Sequence, residues 1–148
     1  MSRKNVSFGS LSPLVGFHLR RASGEFALDF RAAVEGTGMR QVLVGILAIV
    51  DANPGINQGA VGKILGIKRA NMVSLINELV ERAAIERTMT PSDRRSFSLA
   101  LTASGKALLA ECMTRIAEHE RKLLAGLSDL ERQLLLNLLS RIESAPAS

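Results

Sequence analysis

Tryptophan and tyrosine are absent from this chain of 148 residues, cysteine occurs once, at Cys112, and histidine twice, at His18 and His119. A lone cysteine excludes an internal disulfide and any cysteine-rich zinc module. Without tyrosine, one common hydrogen-bond donor for phenolic ligands is missing. The sequence shows no glycine-rich phosphate cradle and no serine or cysteine patterned beside a base, so neither phosphoryl transfer nor nucleophilic catalysis is expected. The chain therefore reads as a non-enzyme without a cofactor. Long apolar runs are also lacking: the longest, Val42–Val50, has nine residues, against the roughly 20 that cross a bilayer. No charged-then-apolar leader opens the chain. A cytoplasmic protein with no membrane partner is expected.

What is present is a leucine-, isoleucine-, valine- and alanine-rich chain, 47% hydrophobic and 22% charged, long enough to bury a real core. Its formal charge is +5. Residues 57–110 hold eight cations against four anions, so +4 of that excess falls in one segment. A basic patch of this kind favours a polyanionic partner.

Helical periodicity predicts a first helix opened by Ser12-Pro13 and running to about Arg31. A second, from about Arg40 to Asp51, is apolar almost all round and suits the centre of the core. Asn57 is placed to cap a short third helix ending near Leu65, Gly66 supplies a sharp corner, and a fourth helix follows from about Lys68 to Arg82. Ile85–Met89 and Ser96–Leu101 read as two strands joined by a loop over residues 90–95. Thr102 can cap a long fifth helix. Ser128-Asp129-Leu130-Glu131 is a capping box that starts a sixth, rich in exposed leucine. The expected fold class is mainly α (α+β): a winged helix-turn-helix lobe over residues 38–102, flanked by helical regions over residues 12–35 and 103–144.

In this reading the fourth helix offers Lys68, Arg69, Asn71, Val73, Ser74 and Asn77 on the face opposite Met72, Leu75, Ile76 and Leu79. Short polar side chains on the first turns of a helix can read base edges in the major groove of DNA, and an exposed valine can touch a thymine methyl. Arg94 and Arg95 at a hairpin tip suit a narrow minor groove, because guanidinium is permanently charged, planar and weakly hydrated. Asp93 is the natural brace for one of them.

The order Gln41, Pro54-Gly55-Ile56-Asn57-Gln58, Leu65-Gly66-Ile67, Leu79, Arg82, Arg87, Pro91, Asp93-Arg94-Arg95, Leu99, Leu101-Thr102 and Gly105 resembles the multiple-antibiotic-resistance regulator (MarR) family over about residues 38–110. The resemblance implies a homodimeric winged-helix regulator. Its first, fifth and sixth helices would form the dimer, its fourth would recognise a pseudo-palindromic DNA operator, and small anionic or aromatic ligands would relieve repression. One departure stands out: the family commonly has Gly-Leu after the recognition helix, and Ala83-Ala84 here lacks the residue that makes a left-handed turn without steric cost.

Family resemblance also places an effector near the first, second and fifth helices, where His18 and Arg21 could meet a carboxylate or phosphate and Phe26 could supply an apolar wall. An aromatic acid, a bulky acyl thioester, or no ligand at all remain open. Cys112 sits on the apolar stripe of the fifth helix, where a thiol acts as a small hydrophobe. His119 shares its face, but two such groups make a poor metal site, and packing is the expected role of both. The competing reading of the fold is a winged-helix module that binds protein without DNA specificity.

Overall fold

Between Gln41 and Ala52 the all-round apolar run forms a helix that buries Leu43, Val44, Ile46, Leu47 and Val50. This computed structural model describes residues 6–90 and 93–145, with the backbone alone for Thr90 and residues 93–96. The described residues form six α-helices and two strands: α1 (Val15–Ala33), α2 (Gln41–Ala52), α3 (Gln58–Leu65), α4 (Arg69–Glu81), β1 (Ile85–Thr90), β2 (Asp93–Leu101), α5 (Ala103–Leu123) and α6 (Asp129–Glu143). The chain is mainly helical with a small antiparallel sheet, as expected. It divides into two compact units, residues 30–116 and residues 1–29 with 117–148.

The larger unit holds the core. Side chains of α2 meet Val61 of α3, Met72, Ile76 and Leu79 of α4, Ile85 and Leu99 of the sheet, and Leu109 and Cys112 of α5. Full burial of each Leu or Ile among them contributes roughly 1.5–3 kcal/mol of transfer free energy. The Asn57 side chain accepts the Ala60 amide at 2.8 Å and starts α3 as expected. At the other end Gly66 adopts φ 66°, and the Ile67 amide bonds back to the Gly62 carbonyl at 2.8 Å. That left-handed closure turns the chain sharply into α4.

The end of α4 differs from expectation. Ala83 takes the left-handed conformation, φ 55°, in place of a glycine. The Ala84 amide reaches the Leu79 carbonyl at 2.9 Å and the Ala83 amide reaches Val80 at 2.9 Å, so the helix closes in the Schellman manner without a glycine. Compensation comes from the Ala83 carbonyl, which accepts both the Thr102 and Ser104 hydroxyls. An L-residue there carries about 1–2 kcal/mol of steric strain, partly offset for glycine by greater freedom of the unfolded chain. Ala83→Gly is therefore expected to stabilise the protein by about 0.5–1 kcal/mol, read as a higher midpoint in urea unfolding.

The sheet pairs Ile85 with Leu101, Arg87 with Leu99 and Met89 with Phe97. Strand alternation buries Ile85 and Leu99. Both strands run further than expected, because Thr90 pairs with Asp93 after a shift in register. Backbone pairing thus overrides the turn-forming side chains, and Asp93, Arg94 and Arg95 belong to β2, not to a loop. Beyond the hairpin, the Gly55 amide bonds to the Leu99 carbonyl and the Leu99 amide to Ile56. The approach to α3 is thereby stitched to β2. Thr102 Oγ1 accepts the Gly105 amide at 2.9 Å and caps α5 as expected.

In the smaller unit α1 starts at Val15, later than Ser12-Pro13 suggested. Ser12 instead closes a 3-10 turn at Gly9–Leu11, its amide bonded to the Gly9 carbonyl. The capping box of α6 is present: the Ser128 amide donates to Glu131 at 2.7 Å, and the Glu131 amide to Ser128 Oγ at 3.2 Å. No residue of α6 is buried, with Leu130 76% and Leu136 67% exposed.

Candidate nucleic-acid interface

Burial of Met72, Ile76 and Leu79 fixes the roll of α4, since residues four and three apart share one face. The opposite face is consequently turned to solvent. Arg69, Asn71, Val73 and Ser74 are exposed, Val73 at 45%, and Asn77 is half-buried one turn further on. Lys68 is the N-cap residue of α4, exposed, and its side chain makes no capping bond. The six predicted residues thus lie on or immediately before one helix, five of them exposed and Asn77 half-buried.

Beside the first turns of α4 lies an open cleft of about 630 Å³ lined by Arg40, Val42, Gly66, Ile67, Lys68, Asn71, Ser74 and Leu75. Arg40 was not singled out by the sequence. Its two terminal nitrogens donate to the two oxygens of Glu78 at 2.9 and 2.8 Å. Arg82, one turn along α4, reaches the same carboxylate at 3.2 Å. Hydrogen bonding from Arg40 holds the Glu78 carboxyl below the usual carboxylate range, and Glu78 in turn raises Arg40. No sequence signal links Arg40 to Glu78, because 38 residues separate them.

Asp93, Arg94 and Arg95 begin β2. Their side chains lie outside the described residues, so the brace and groove roles expected of them stand on the sequence. On β1, Arg87 is exposed and holds its guanidinium 5.9 Å from the Phe97 ring centroid, a third cation on this hairpin beside Arg94 and Arg95.

Two of the predicted ligand residues, His18 and Arg21, cluster within the smaller unit, though with partners from the N-terminal segment. His18 Nε2 donates to the Ser12 carbonyl at 2.8 Å. Arg21 sits 4.6 Å from the Phe8 ring centroid, and Phe8 meets Phe17 edge to face at 5.2 Å. Phe26 is half-buried and outside this cluster. Cys112 is fully buried, and burial pushes its thiol up. His119 Nδ1 bonds to Asp29 Oδ1 at 3.0 Å. Among the described residues no helix is long and apolar enough to cross a membrane.

A family model described as "MarR family" matches residues 38–96. A protein of Thauera aromatica described as a transcriptional regulatory protein for the hcr operon is 33% identical over 135 residues, which is 90% of this chain and 81% of that one. The solved structure of the transcriptional repressor CouR bound to a 23-mer DNA duplex superposes with a TM-score of 0.88 at 37% identity, covering 93% of this chain and 98% of that chain. CouR bound to p-coumaroyl-CoA gives a TM-score of 0.82 at 33% identity, over 95% and 99% of the two chains.

Proposed function

The chain belongs to the MarR family of transcriptional regulators, and from that membership we propose that it is a homodimeric repressor that binds a pseudo-palindromic operator and is released by a small anionic or aromatic ligand. The observation that carries the DNA reading is the exposed face of α4. Two small hydrogen-bonding residues, Asn71 and Ser74, stand there with Val73 between two cations and the half-buried Asn77. A helix face of this composition suits base edges, and the neighbouring Lys68 and Arg69 suit phosphates. The likeness to CouR on a DNA duplex supports the same use. Arg94 and Arg95 at the start of β2 are assigned to the minor groove, with Asp93 as their brace.

Residues 38–102 form the DNA-binding lobe in this reading, and residues 12–35 and 103–144 the dimerisation region. The apolar surface of α6, with Leu130, Leu134, Leu136 and Ile142 all more than half exposed, supports a partner copy. For the effector, an aromatic carboxylate or its coenzyme A thioester is the best match, supported by p-coumaroyl-CoA in CouR. His18 and Arg21 are its polar contacts and Phe26 an apolar wall. A screen of such compounds for release of DNA checks this part.

Base reading by α4 has its own test. Asn71→Ala and Ser74→Ala are each expected to lower discrimination between operator and random duplex by about 1–3 kcal/mol while leaving random-duplex affinity unchanged. Equal losses on both duplexes in a competition titration would contradict it.

A further inference from the structure

Arg40 is held in a way that a merely solvated arginine is not. Both terminal nitrogens are engaged by Glu78, itself pinned by Arg82, although the Arg40 side chain remains 53% exposed against 29% for Glu78. An exposed ion pair contributes little to stability, so stability alone is a poor account of this arrangement. A guanidinium carries five N–H donors in a rigid plane, and the pair with Glu78 uses two of them, so the fork retains donors for a second acceptor. Two arginines around one carboxylate also leave a unit of positive charge locally uncompensated. Arg40 shares its cleft with Lys68, and none of the residues lining that cleft is acidic.

Asn71 and Ser74 belong both to this cleft and to the exposed face of α4. If those two side chains meet base edges, the opposite rim of the cleft faces the phosphate strand that borders the major groove. We propose that Arg40 and Lys68 clamp one backbone phosphodiester of the operator, with Glu78 as the positioning residue that presents the Arg40 fork. The resulting order of charge, Arg82, Glu78, Arg40 and phosphate, alternates in sign. This inference rests on the DNA-binding reading above and adds a phosphate site to it. The contact is indifferent to base sequence, so it sets affinity and register, not specificity.

The test is the salt dependence of duplex binding for the wild-type protein and Arg40→Gln. For Arg40→Gln the slope of log affinity against log salt is expected to fall by about 0.9 per subunit. Affinity at fixed salt should drop about tenfold on operator and random duplex alike, with the melting temperature within a few degrees of wild type. Should Arg40→Gln fail to fold, Lys68→Gln carries the same expectation. An unchanged slope overturns the proposal while leaving DNA binding intact. A wild-type protein that binds no duplex overturns both readings. Inorganic phosphate that raises the melting temperature of wild type but not of Arg40→Gln, with an unchanged slope, assigns the cleft to a free anion and likewise overturns it.

Discussion

Gly105→Ala is expected to destabilise the protein by about 3–5 kcal/mol, the sum of overpacking and a disturbed hydrogen bond. A Cβ at Gly105 would stand 2.0 Å from the Ala84 carbonyl oxygen and 2.8 Å from its carbon, atoms of the main chain that no rotamer change can move aside. That carbonyl already accepts the Thr102 amide at 3.1 Å. Its neighbour, the Ala83 carbonyl, accepts two hydroxyls from the first turn of α5. The start of α5 is thus pressed against the left-handed turn that ends α4. The sign is diagnostic, because glycine to alanine inside an ordinary helix stabilises by roughly 0.5–1 kcal/mol. A fall in melting temperature of about 10 °C or more is expected for a chain of this size. A rise, or no change, would contradict the close approach.

Arg94→Ala combined with Arg95→Ala is expected to weaken operator binding at least a hundredfold, about 3 kcal/mol or more across a dimer, while the melting temperature stays unchanged. Both residues begin β2 next to the Thr90–Asp93 pair, at the far end of the hairpin from the Ile85–Leu101 end, where Ile85 is buried. A cation there is remote from the core yet held between two backbone pairs, Thr90 with Asp93 and Met89 with Phe97, which limits the entropy lost when it enters a groove. Narrow minor grooves concentrate negative potential, and guanidinium is the side chain best suited to desolvation there. Gel-shift titration at fixed salt measures the effect. Unaltered affinity in the double variant would refute the assignment of the hairpin to DNA.

Much of this architecture is legible in the sequence, for local reasons. The apolar run of α2, the Asn57 cap, the Gly66 corner and the Ser128–Glu131 box each act within a few residues, so composition and spacing reveal them. The two faces of α4 are legible too, since 3.6-residue periodicity separates Met72, Ile76 and Leu79 from Asn71, Val73 and Ser74. What the sequence conceals depends on distant partners. Ala83 adopts a turn that propensity reserves for glycine, because Thr102 and Ser104 stabilise its carbonyl from 19 and 21 residues away. Asp93 to Arg95 carry turn-like neighbours, yet pairing with β1 begins already at Asp93. Arg40 looks like an ordinary surface cation until Glu78 is found against it. Likewise, Phe8 from the N-terminal segment meets Arg21, a partner that helical periodicity on α1 cannot supply.

Selection of duplexes from a random library by the wild-type protein bears on the central claim most directly. Two copies with one α4 each should enrich inverted repeats whose half-site centres lie about 34 Å apart, one turn of DNA. Sequences recovered without symmetry, or no enrichment over the starting pool, would contradict a dimer that reads an operator through this helix.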